Sequence, residues 1–183
     1  MITPSAEFSS ASVSESFINE ARRLLLEEYL LKIDRCLEKL TDEQVWWRPN
    51  PESNSIGNLL LHLSGNARQW IVCGLGNAID QRQRQTEFDQ REGIPREKLL
   101  GNLRKTVSEV GEVLLRFEPS RLLEEYHIQG TSSTALAAIF HVTEHFSMHT
   151  GQIILLTKML AGVDLVFYDL SSGTPVHTWE QPK

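Results

Sequence analysis

Six histidines occur in this 183-residue chain, and three of them, His141, His145 and His149, fall within nine residues. The pattern H-x3-H-x3-H lies in a segment with helical periodicity. Side chains four apart on a helix sit on neighbouring turns and point the same way, as in the two-histidine half of a zinc site. Imidazole suits Zn, Ni, Cu and Fe, so the spacing points to transition-metal chemistry. One ion cannot use all three. Each four-residue step climbs ~6 Å, which puts His141 and His149 ~12 Å apart, against ligand bonds of ~2.1 Å. Azimuth chooses the pair. At ~100° per residue, His145 and His149 lie next to the apolar stripe of Val142, Phe146, Ile153 and Leu160, whereas His141 falls further round with Met148 and Met159. The expected pair is His145 and His149.

Two histidines leave zinc under-coordinated, so a third ligand must come from another segment. His62 is the candidate. It borders the apolar face of a second helical segment, with Asn58 and Asn66 a turn away on either side. A lone histidine at such a boundary is more often structural, so spacing alone leaves its role open. His141, Gln152 and Asn58 are candidates to support the ligands or touch a substrate. Glu144 points away from the ligand pair and is not read as a base. Trp47 and Trp70 read as packing residues, and His127 and His177 fall in loop or tail segments. Rival chemistries fare worse. A di-iron bundle needs two Glu-x-x-His motifs, and this chain has one, Glu124 to His127. Cys73 lies ~16 Å along the helix from His62 and cannot share its ion. Cys36 reads as a core residue. Nucleophile-elbow, phosphate-loop, dinucleotide and haem motifs do not occur, and no protein nucleophile stands out.

Four amphipathic segments must position these groups, at about 14–40, 54–74, 95–118 and 132–161. In the first, Leu26, Leu30, Ile33, Leu37 and Leu40 form one stripe, with Ser14 or Ser16 as a start signal. The second follows the breakers Pro49 and Pro51 and stops at Gly74. Pro95 opens the third and Pro119 ends it. The fourth follows the cap-like Thr131-Ser132-Ser133 and ends at Gly162. Four such helices with little β-patterning predict an all-α four-helix bundle in a single domain. The connector from Leu75 to Ile94 exceeds what adjacent helices need, which suggests a crossover there. Its Gln- and Arg-rich composition reads as a solvated loop, with Phe88 as an anchor. Residues 165–179 suggest a short hairpin around Ser171-Ser172-Gly173.

Composition narrows the function classes. The chain is 40% hydrophobic and 23% charged, ordinary for a globular protein. A net charge of −6 argues against nucleic-acid or anionic-membrane partners, which need clustered Lys and Arg. No apolar run approaches the ~20 residues of a membrane span. Met1 to Ser16 lacks the basic and apolar blocks of a secretory signal. Two cysteines form no CxxC pair or disulfide framework. The expectation is a reduced, cytoplasmic protein.

Several stretches resemble the DinB-like (YfiT-like) family, mostly bacterial four-helix bundles. These are Trp47-Arg48-Pro49, the run from Asn54 to Leu63, Arg82 to Glu87-Phe88, and above all His141 to Ile153. The run Asp164 to Asp169 is similar to an uncharacterised branch. The resemblance implies a bundle with an unusual crossover, dimers, and a divalent metal, Zn or Ni, on His62, His145 and His149. Characterised relatives include S-transferases that use low-molecular-weight thiols and a thiol-dependent isomerase. Many members carry Arg and Asn where this chain has Thr150 and Glu144, so no substrate role is carried over to those positions. The leading expectation is a metal-dependent enzyme, a thiol-dependent S-transferase or a hydrolase, acting on a small electrophile. The alternative is a non-catalytic metal- or ligand-binding dimeric bundle.

Overall fold

The computed structural model describes residues 10–179; residues 1–9, part of the stretch read for a signal, lie outside them. The first long helix is unbroken but not uniform. It runs as α1 (Ser10–Arg23), a π-helical turn (Leu24–Tyr29) and α2 (Leu30–Leu37). The wider π turn rotates the helix about its axis. Upstream Ile18 and Ala21 face the core, within the turn Leu25 does, and downstream Ile33, Cys36 and Leu37 do. Leu26 and Leu30, placed on the stripe by uniform α spacing, are therefore only half-buried. The same turn carries Glu28 into a buried position against Lys32, Tyr168 and His177.

A short helix, α3 (Asp42–Trp46), follows, held by a capping box between Thr41 and Gln44. The second long helix is α4 (Ile56–Ala67) continued by a π turn (Arg68–Cys73). Ser55 caps α4 reciprocally with Asn58, as Asn58 N–H donates to Ser55 Oγ at 3.2 Å and Ser55 N–H to Asn58 Oδ1 at 3.1 Å. The connector contains α5 (Arg84–Asp89) and leads to α6 (Arg96–Arg116). The last long helix, α7 (Ala135–Ala161), stops at Gly162 in the left-handed region, φ 64°.

Expectations for two connections change. Thr131-Ser132-Ser133 does not cap the last helix; Thr131–Thr134 forms β2, antiparallel to β1 (Glu125–Ile128), and Thr134 is the cap. Gln129 and Gly130 join the strands with φ of 54° and 79°, the paired positive angles that a two-residue hairpin requires. The 75–94 connector is not merely a solvated loop, since α5 docks on α4 and buries Glu87. The tail hairpin does form, with β3 (Tyr168–Asp169) against β4 (Val176–His177).

Helices α1–α2 pack on α6 and α7, and so does α4. The first and second long helices thus sit diagonally across the bundle, and the 75–94 connector, expected to be the crossover, joins neighbours instead, its length taken up by α5 docking on α4. The diagonal steps run through α3 and through the β1–β2 hairpin. Phe146, Leu60, Leu63, Ile139 and Leu103 fill the centre and are fully buried. Cys36 is buried as expected, and burial pushes its thiol up to about 11. Among the described residues no helix is long and apolar enough to cross a membrane.

Candidate metal centre

Packing α4 against α7 brings His62 edge-on against His145 and His149. Nε2 of His145 lies 3.1 Å from Nε2 of His62 and 3.1 Å from Nε2 of His149. One ligand nitrogen from each of the three falls within 4.8 Å of the others, and all three side chains are buried. Ligands of a tetrahedral ion with ~2.1 Å bonds sit ~3.4 Å apart, close to the two 3.1 Å separations about His145.

The outer ring nitrogens decide where the lone pairs point. Nδ1 of His62 lies 2.9 Å from Glu87 Oε2, and Nδ1 of His149 lies 2.7 Å from Gln152 Oε1. Carboxylate and amide oxygens only accept, so these partners assign the proton to Nδ1 in both rings and leave each Nε2 a bare lone pair. Arg82 Nη2 also lies 3.2 Å from His62 Nδ1, donor facing donor; its productive bond is to Glu87 Oε2 at 2.9 Å. His145 has no comparable support, because its Nδ1 is buried with no partner among the described residues. Three inward nitrogens with at most one hydrogen among them form a cluster that a cation would satisfy. Burial first, then repulsion from His149 and His62, pushes His145 down to about 3. Burial likewise lowers His149. Burial thus holds His145 and His149 toward the neutral form, the one that ligates.

Behind His62 stands a second layer that sequence reasoning missed. Arg82 grips both oxygens of Glu87, at 2.7 and 2.9 Å, and donates to Gln69 Oε1 at 2.9 Å. Burial raises the Glu87 pKa, but the Arg82 and His62 contacts outweigh it and hold the carboxyl below its ordinary value. Gly65 makes this possible: a Cβ there would lie 2.0 Å from Glu87 Oε1. Asn58 is a strut rather than a substrate contact. It is fully buried, and its amide donates to the carbonyls of Glu87 and Gln90 at 2.8 and 2.9 Å. Arg48 donates to Asn58 Oδ1 at 2.6 Å and to the Gln90 carbonyl at 3.0 Å. The family resemblance covers Arg82 to Phe88 but gives Glu87 no role, and by composition it is one acid in a Gln- and Arg-rich run. Phe88 does anchor the segment, with its ring 4.8 Å from that of His62.

The other candidates separate cleanly. Gln152 supports His149. His141 stays outside the cluster, with Nε2 3.2 Å from Asn66 Nδ2 and its ring 4.5 Å from Trp70. His177 pairs with Glu28 at 2.9 Å and stacks on Trp179. Trp47 is exposed rather than packed. Because a carboxylate–histidine–metal chain fixes ring orientation, Glu87→Gln is expected to weaken metal binding ~10–100-fold, read by competition with a chromophoric chelator. Unchanged affinity would detach Glu87 from the site.

Comparison with known proteins follows the geometry. The family described as "Protein of unknown function (DUF1572)" matches residues 12–173. No curated protein matches in sequence. Among solved structures, a conserved protein from Enterococcus faecalis superposes with a TM-score of 0.64 at 14% identity, covering 84% of this chain and 98% of that one. A DinB-like protein from Bacillus cereus gives 0.59 at 19% identity, covering 75% and 88%. A DinB-like protein from Bacillus subtilis, YjoA, gives 0.60 at 16% identity, covering 80% and 94%. At these identities the likeness establishes a shared DinB-like fold.

Proposed function

The chain belongs to the DUF1572 family of unknown function, and from that premise we propose that it is a metal-dependent enzyme acting on a small electrophile. His62, His145 and His149 are its ligands, with Zn or Ni as the ion. The observation that carries this reading is the size of the ligand set: among the described residues no fourth His, Cys, Asp or Glu joins the three histidines. A structural zinc site is closed by four protein ligands, whereas a catalytic one keeps a position open. His141, on the same helix, and His177, in the tail, are engaged elsewhere.

A divalent ion held there supplies Lewis acidity toward a low-molecular-weight thiol or water. The chain's own residues do the rest. Glu87 and Gln152 fix the His62 and His149 tautomers, Arg82 keeps Glu87 ionised, and Phe88 shields the His62 edge. The reaction class is S-transfer from a thiol, or hydrolysis. The test loads the protein with Zn or Ni and follows thiol consumption against a small electrophile, with ester hydrolysis in parallel. Turnover that vanishes on chelation and returns with metal supports the enzyme. Stoichiometric metal without turnover across the thiols favours the non-catalytic bundle.

A dimer is part of the reading. The outer face of α7 exposes Leu136, Phe140, Met148, Leu155 and Met159, an apolar stripe along one helix. Phe140→Glu combined with Met148→Glu is expected to halve the mass measured by light scattering. A wild-type monomer would refute the dimer and leave the metal site untouched.

A further inference from the structure

A cavity of about 340 Å³ opens between the 49–54 loop and α7. We infer that it receives the uncharged, apolar body of the substrate, whose reacting end lies at the histidine cluster. This rests on the enzymatic reading above and adds to it the substrate class.

Register places the cavity. The helices α4 and α7 run antiparallel, because Asn66 and Trp70 meet His141 while His62, earlier on α4, meets His145 and His149, later on α7. Continuing in the same sense, Leu59 faces Gln152 and Leu156 across the cavity. The cavity therefore begins one helical turn from His62 and one turn from His149, ~4.5 Å along each helix. Gln152 belongs to both: it lines the cavity and accepts the His149 Nδ1 hydrogen at 2.7 Å. At the opposite end of the groove the Trp70 ring lies on His141. A substrate extending from the cluster toward the 49–54 loop thus meets a space with a wall in common with a ligand.

Chemistry of the walls sets the class. Leu59, Leu155 and Leu156 supply apolar surface, and Ser53 and Asn54 lie at the loop end. Among the described residues Glu52 is the one charged side chain lining the space, so an anionic body is disfavoured. The volume is at the small end of the ~300–1,000 Å³ typical of ligand pockets, fitting a short chain or one ring.

Full-length protein, labelled at leucine methyls, is titrated with 1-propanol, 1-butanol and 1-pentanol and followed by NMR. Saturable shifts are expected at Leu59 and Leu156, with affinity rising about fourfold per methylene, as for transfer of a CH₂ out of water. Leu156→Trp, and independently Ser53→Trp on the loop, should abolish the chain-length gain. Unsaturable shifts, affinity independent of chain length, or a gain that persists in both variants would overturn the inference. Metal content of the same preparation is measured separately, so loss of the metal reading and loss of the cavity reading give different results.

Discussion

Alanine in place of His145 abolishes stoichiometric zinc or nickel binding, whereas His127→Ala leaves it intact. His145 is the hub of the cluster: its Nε2 is 3.1 Å from the ligand nitrogen of each partner. Without it, two imidazoles remain, one from each helix, and an ion held by them must draw its other ligands from water. The loss should exceed the ~10–100-fold typical of residues that merely orient ligands. His127 is the proper control because it lies on β1, opposite Ser132 in the hairpin, and is not part of the cluster. Elemental analysis after dialysis against micromolar metal reads the result. Equal retention by both variants would defeat the assignment.

Acidification is expected to weaken the metal-free bundle well before carboxylates alone would do so. An unfolded histidine titrates near ~6.5. In the folded chain His145 is pushed down to about 3, by burial first, and His149 and His141 are lowered for the same leading reason. A depressed folded pKa means that the unfolded chain takes up protons the native state refuses. The contribution is therefore complete above ~6.5 and is lost as pH falls toward 3. Glu87, also depressed, adds a loss at lower pH, below the ordinary carboxylate value. Urea midpoints should fall between pH 7 and pH 5, and His145→Leu should flatten that slope. An unchanged slope in the variant would show that the cluster is not the sensor.

Metal follows the same protons, because ligation needs neutral rings. Bound ion should be released on acidification with protons taken up, and because burial lowers His145 and His149 the release should fall below the ordinary histidine range. At pH 7, chelation should leave circular dichroism helical, since Leu60, Leu63, Ile139 and Phe146 fill the core without reference to the ion. A bundle that melts with metal removal at pH 7 would instead identify a structural ion.

The periodic features were determined by sequence alone. Apolar positions on a 3.6-residue repeat, with Pro51, Gly74 and Gly162 among the boundaries, were enough for four helices and an all-α bundle. Helical rise and azimuth separated His145 and His149 from His141, because those quantities are local and fixed by the backbone. Tertiary structure decided what depends on groups distant along the chain. The π turn at Leu24–Tyr29 exchanged Leu26 for Leu25 in the core, since α spacing cannot register a widened turn. Which helices are neighbours was likewise invisible: connector length bounds a distance but does not choose a side. Glu87 lies 25 residues from His62, and its role exists only because Arg82 neutralises it, Gly65 makes room for it and Asn58 holds its backbone. A buried carboxylate is set by the partners that compensate its desolvation, and those partners come together only when α5 docks on α4.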